Sequence, residues 1–258
     1  MVTITHKEIE DFHKCRDYYN KKYIEKEKPI REKTQAGFDG HSNIVIEAEA
    51  AILELTDYYF HRLMDNHQPR IRTVVKRWGH IWLDDMDAMA ICMDPVPISR
   101  LSKIRVNTAV VGNIGRFCNT YKKPFNPAFV RETMLVPFNN ITIAATIDMA
   151  HRTGSGIMRI VKFTPYKISP GKPQQNLNLL MQASAWMHNS GESEVEIGYY
   201  NMLSPEMYDP LHVSTVDKGI NQHLAKLAEG FVNKKSAGTQ EPCRGCEYRC
   251  EDTNEDNF

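Results

Sequence analysis

No run of apolar residues in the chain approaches the ~20 that a membrane-spanning helix requires, and the opening "MVTITHKEIEDF" contains no apolar signal core. The expectation is a soluble, intracellular, cytoplasmic protein. Excess charge is missing too: Lys+Arg and Asp+Glu both total 32 in 258 residues. No global positive field draws in a polyanion, so any nucleic-acid surface has to be local. Cysteine is too sparse for a disulfide scaffold, with six in all and no secretory context. Internal repeats are absent, and a chain of this length needs no second domain to bury a substantial core.

Three of the six cysteines are crowded into "EPCRGCEYRC", as Cys243, Cys246 and Cys250. Exposed thiols beside Gly, Arg and Glu oxidise if left free, so the cluster reads as part of a metal site that lacks one ligand. Cys92 and Cys118 sit among apolar residues and read as buried, unligated thiols.

"THKE" at Thr5–Glu8 fits a capping box that opens a helix carrying Ile9, Phe12, Cys15, Tyr19 and Tyr23. Residues 21–36 are dense in charge and read as a helix end with an exposed connection. "IVIEAEAAILELTDYYFHRLMDN" returns to helical periodicity, and residues 68–122 read as a helical insertion. After Pro124 come three β-prone runs, "FVRETMLVPF", "ITIAATIDMA" and "GIMRIVKF", separated by turn-forming "NN" and "HRTGSG". An amphipathic helix ending near Gly191, a strand "EVEIGYYNM" and a last long helix in "STVDKGINQHLAKLAEGFVNKK" complete the pattern. This order predicts an α/β or α+β core. One domain spans 1–250, with 241–250 as the cluster-binding segment and 251–258 as a disordered acidic tail.

In this order the chain resembles the RecB-type branch of the PD-(D/E)XK nuclease superfamily, in particular its iron–sulfur exonucleases of the CRISPR-associated and helicase-linked type. The resemblance is carried by "ITHKEIEDFHKCRDYYNKKY", by Gly37-x3-His41, by "RETMLVPFNNITIAATIDMA" with Glu132 and Asp148, by the helix in "NLLMQASAWMHNSG", and by the C-terminal cysteines. It implies a restriction-endonuclease-like core with a mixed sheet flanked by helices, and it implies that Cys15 joins Cys243, Cys246 and Cys250. Four thiolates suit a [4Fe–4S] cluster, which the resemblance favours, and equally suit tetrahedral zinc.

The family's chemistry uses Asp148, then an acid-x-Lys on the next strand. The acids hold Mg²⁺ or Mn²⁺, which makes hydroxide available from bound water, and the Lys orients that water. Here the strand reads "MRIVKFTPYK", which places Lys162 at the acid and Thr164 at the Lys. An ammonium repels a divalent cation and competes for Asp148, so a Lys162–Asp148 pair is the expected replacement for the metal. Asn178 and Gln182 replace the following helix's Gln and Tyr. In the alternative, Lys162 or Lys167 reaches in from a neighbouring position while Glu132, Asp148 and His41 hold one metal.

Asp148 between Ile147 and Met149 needs a partner wherever it is placed, because a carboxylate in an apolar strand is costly alone. Glu132 reads equally as a solvated strand residue, and His41 as a loop histidine. "HQPRIRTVVKRW" and "SRLSKIRV" place basic residues beside Trp78 and apolar positions, a composition suited to phosphates and bases and equally to a solvated helix face.

Three functions are compatible with these residues. The first is a catalytically degenerate nuclease-like protein with an iron–sulfur cluster. It would bind DNA, single-stranded or end-containing, or act as an assembly subunit beside a polymerase, helicase or other machinery subunit in replication, recombination or transcription, in a viral or phage setting. The second is an active Mg²⁺- or Mn²⁺-dependent DNA exonuclease with a rearranged site. The third is a metal-stapled subunit that binds protein alone. The thiol pairing is directly testable. The purified protein is expected to be brown, with broad absorbance near ~400 nm, and Cys15→Ala is expected to lose that absorbance as fully as Cys243→Ala. A colourless protein with stoichiometric zinc, or an intact cluster in Cys15→Ala, contradicts the assignment.

Overall fold

The computed structural model describes residues 2–5, 8–9, 12, 19–24, 40–83, 98–138, 141–165, 177–204, 211–214 and 229–230. Cys15, Gly37, Cys92, Lys167, Cys243, Cys246, Cys250, most of the last predicted helix and the acidic tail lie outside them, as does the side chain of His41.

The chain begins with a short strand, β1 (Val2–Thr5), that the sequence did not reveal. "VTIT" alternates apolar and polar residues, but at four residues it is the shortest run that marks a strand. Thr5 both closes the strand and pairs with Glu8: Glu8 N–H donates to Thr5 Oγ1 at 3.2 Å while Thr5 N–H donates to Glu8 Oε2 at 2.6 Å. This is the reciprocal capping box read from "THKE". Ile9, Phe12 and Tyr19 beyond it are buried, with the Phe12 and Tyr19 rings edge to face at 5.4 Å.

Three helices come next: α1 (Gly40–Met64), α2 (Ile71–Trp82) and α3 (Ile98–Thr120). They bear out the helical reading of 68–122 where that stretch is described. His41 falls in the first turn of α1 rather than in a loop. Helix α2 buries Val74, Trp78 and Trp82, one apolar stripe at four-residue spacing. Both indoles find acceptors: Trp78 Nε1–H donates to Asn107 Oδ1 and Trp82 Nε1–H to the Lys103 carbonyl, each at 3.0 Å. Trp78 is fully buried, so it cannot stack on a base, and that part of the nucleic-acid reading is corrected.

The predicted meander is present as β2 (Phe129–Phe138), β3 (Ile141–Arg152) and β4 (Met158–Thr164). Helix α4 (Leu177–Ser190) ends at Gly191, whose φ of 73° lies in the left-handed region that glycine enters without strain. Its N–H donates to the Met187 carbonyl at 3.0 Å. Strand β5 (Glu194–Asn201) pairs in parallel with β4, and a second unforeseen short strand, β6 (Leu211–Ser214), pairs antiparallel with β5.

The six strands form one mixed sheet, in the order β1-β3-β4-β5-β6, with β2 also paired to β3. Helix α4 covers one face, over Ile143, Ala145, Ile147, Ile160 and Ile197. Helices α1 to α3 cover the other, over Met149, Val161, Phe163 and Tyr200. That second face is largely aromatic: Phe60 and Phe117 lie 5.7 Å apart, and each also meets Phe163. Cys118 is buried there as a free thiol, as its apolar neighbours in sequence suggested. Tyr59 ties the layer together, donating to the Tyr121 carbonyl at 3.1 Å and accepting from Gln68 at 2.8 Å.

Candidate functional site

A strand has two edges, and β2 takes one edge of β3 along almost its whole length. β1 and β4 must therefore share the other. β1 pairs with Ile141–Ala144 and β4 with Met149–Arg152, so residues 145–148 lie in a fork between the two ladders. Asp148 sits at its apex, one residue before the β4 ladder begins.

The chain is kinked at the same level. Ile143, Ala145 and Ile147 face the α4 side, but Met149 faces the α1–α3 side. On β2, Met134 packs toward α4 and Val130 toward the opposite face, and between them Arg131 has φ 54°. Register is unbroken, with Val130 opposite Met149 and Glu132 opposite Ile147. Both strands thus change phase together, without the slip that a one-sided bulge would cause. Arg131 is left level with Asp148.

Asp148 is 8% exposed. Burial pushes its carboxyl above the ordinary aspartate range, opposed in turn by the Lys162 ammonium, the Phe163 N–H and Arg131, while Glu49 adds to the upward push. Its Oδ2 accepts from the Phe163 backbone N–H at 3.2 Å. The registered β3–β4 pairs stop at Met149 and Val161, so this carboxylate satisfies a β4 donor just beyond them.

Lys162 is the next β4 residue beyond the ladder. Its Nζ lies 3.2 Å from Glu49 Oε1 on α1, with both side chains mostly buried. The expected direct partner of Lys162 was Asp148. The ion-pair contact is with Glu49 instead, and Lys162 acts on Asp148 through its field. Asp148, Lys162 and Glu49, with Arg131 beyond, form an alternating charge cluster at the fork.

The other sequence-selected positions are placed differently. Thr164 is buried at the end of β4, level with Asn201, and its carbonyl accepts from Met202 N–H at 3.1 Å. Glu132 is exposed on β2, and its side chain makes no hydrogen bond or ion pair with a described residue. Asn178 and Gln182 are buried on α4, where Gln182 Nε2 donates to Asn178 Oδ1 at 2.7 Å and Gln182 Oε1 has no hydrogen-bond partner among the described residues. Among the described residues no three His, Cys, Asp or Glu side chains are grouped to hold a metal ion, and no helix is long and apolar enough to cross a membrane.

Sequence reasoning missed Glu49 and Arg131. Glu49 lies between Ala48 and Ala50 in a helix that also carries Glu47 and Glu54, and periodicity does not say which acid meets the sheet. Arg131 immediately precedes the Glu that drew attention. Only the β2–β3 register, with Val130 opposite Met149 and Glu132 opposite Ile147, brings it level with Asp148.

No family model and no curated protein matches the chain. Among solved structures, the crystal structure of SSO0001 is similar at 14% identity and a TM-score of 0.34, covering 80% of this chain and 92% of that one. A structure from Eubacterium rectale named "Putative exonuclease" is similar at 10% identity and a TM-score of 0.32, covering 80% and 85%. Both TM-scores are too low to establish a shared fold, and neither likeness assigns a role to a residue.

The cluster makes a signed prediction. Lys162→Met removes the cation that most favours ionised Asp148 and moves that carboxyl further upward. A carboxyl whose folded pKa exceeds its unfolded value loses stability as pH rises between the two. Urea denaturation is expected to show a loss of about 1–3 kcal/mol at pH 8 and a much smaller one at pH 5. An equal loss at both values contradicts the coupling.

Proposed function

We propose that this protein is a nuclease-like protein in which Lys162 has taken the cation's place at Asp148, so that metal-dependent cleavage is lost. Its role is then to bind DNA or to hold an assembly together, within replication, recombination or transcription machinery. The motif order from Thr5 to the C-terminal cysteines supports the nuclease-like reading, and the mixed sheet with Asp148 at a strand fork is compatible with it.

One observation carries the loss of catalysis: the Lys162 Nζ–Glu49 Oε1 contact of 3.2 Å beside buried Asp148. Mg²⁺ and Mn²⁺ need anionic or neutral oxygen ligands at close range. An ammonium held among those oxygens by a second carboxylate repels the ion and satisfies the charge it would have neutralised. Thr164, at the position where the family has its lysine, has no ammonium with which to activate water.

The Cys15, Cys243, Cys246 and Cys250 cluster belongs to the same reading, as a staple joining the two ends of the chain. Iron–sulfur is the favoured occupant and zinc the alternative.

The test is degradation of labelled single- and double-stranded DNA in Mg²⁺ and in Mn²⁺, with Asp148→Ala as control. Wild type and Asp148→Ala are expected to show the same background. Degradation by wild type that disappears in Asp148→Ala overturns the proposal in favour of an active exonuclease.

A further inference from the structure

We propose that His151 is the seat of an acid-sensitive latch, which holds the connection between α3 and β2 closed at neutral pH and loosens it in mild acid. That connection, residues 121–128, carries the chain from the helical layer into the sheet. Its start is held by Lys123, whose N–H donates to Gln68 Oε1 at 3.0 Å and whose Nζ donates to the Asn66 carbonyl at 2.7 Å. Its end is held by the Ala128 N–H, which donates to the Ala150 carbonyl at 2.7 Å. Between these anchors the Phe125 ring is set against His151, at 4.9 Å between centroids. Phe125 also lies 4.9 Å from Tyr121 and 6.0 Å from Phe60, so one ring ties β3 to the aromatic layer of α1 and α3.

His151 stands in a row of ionisable side chains. It pairs with Arg159 on β4, and Arg159 pairs with Glu196 on β5. Met149 and Val161, two residues away on β3 and β4, place the row on the face that α1 to α3 cover. Arg159 is committed to Glu196, with Nε and Nη2 both reaching Oε2, at 2.7 and 2.6 Å. The histidine is half-buried beside this pair.

The tautomer follows from one contact. His151 Nδ1 lies 3.2 Å from the Arg152 carbonyl, and a carbonyl only accepts, so the ring proton sits on Nδ1. A second proton must go to Nε2, which has no acceptor among the described residues. Burial, the largest influence, holds the imidazole below the ordinary histidine range; the Arg152 carbonyl opposes it, Arg159 adds to it, and Glu196 opposes it last. From the connection the ring meets the uncharged Phe125, and burial keeps the neighbouring Tyr121 phenol neutral.

The sign is then fixed. A histidine whose folded pKa lies below its unfolded value contributes stability above the unfolded value and loses it as pH falls through that range. The imidazolium is penalised while Phe125 covers it and hydrated once the connection lifts, so protons favour the open form. The latch needs nothing from the charge cluster at Asp148, and either can fail alone.

The experiment is hydrogen–deuterium exchange of the full-length protein at pH 7.5 and 5.5, corrected for the intrinsic exchange rate at each. Opening of residues 121–128 is expected to rise at least about threefold at the lower pH, while α4 is unchanged. His151→Gln, neutral at both values, is expected to abolish the rise. No rise in wild type, or the same rise in His151→Gln, overturns the inference. Titration of the wild-type imidazole by NMR decides the matter independently of the variant's stability. A midpoint below the ordinary ~6.5 is expected, and a midpoint at or above it, as a dominant cation–π attraction to Phe125 would give, overturns the latch.

Discussion

A buried carboxylate at the parting of two strands is the constraint on which the middle of this structure depends. Asp148 is displaced from both ladders by the fork in the sheet, and its charge is held among Lys162, Arg131 and the Phe163 N–H. Glu49 fixes Lys162 in turn. Remove Lys162 and both buried Asp148 and partly buried Glu49 lose the cation they share, a larger penalty than the pair's net contribution. β2 and β3 share a kink at Arg131 and Asp148. It lets Arg131 come level with the carboxylate while Met149 and Val130 change faces and join the aromatic layer under α1 to α3.

The two layers around the sheet then have different characters. On the α4 side aliphatic residues of β3, β4 and β5 meet Leu179, Leu180 and Ala183. On the other side aromatic rings from α1, α3, β4 and β5 pack edge to face or tilted, and the tryptophans of α2 close the layer with both indole N–H groups satisfied. Committing Val74, Trp78 and Trp82 of α2 inward leaves Arg72, Lys76 and His80 exposed on the opposite side of the helix.

Much of the fold was legible because its signals are local. The capping box at Thr5–Glu8, the turn residues between the β2, β3 and β4 runs, and Gly191 at the end of α4 each declare themselves within a few residues. β1 and β6 escaped because four residues carry too little alternation. The site was half legible. Asp148 stood out as an acid in an apolar strand, and Lys162 stood out as a cation where an acid was expected. Their true partners did not stand out, because Glu49 comes from a helix about a hundred residues earlier and only packing brings it to the fork. Trp78 shows the converse error: basic neighbours suggested a stacking surface, whereas the ring's apolar spacing with Val74 and Trp82 had already assigned it to the core.

The central claim is that the positive charge at Asp148 is the protein's own. Crystals grown in millimolar MnCl₂, with diffraction collected at the manganese absorption edge, test this without reference to activity. No anomalous peak is expected at the fork, with Lys162 Nζ between Glu49 and Asp148. An anomalous peak within coordination distance of the Asp148 carboxylate, with Lys162 swung aside, would contradict it.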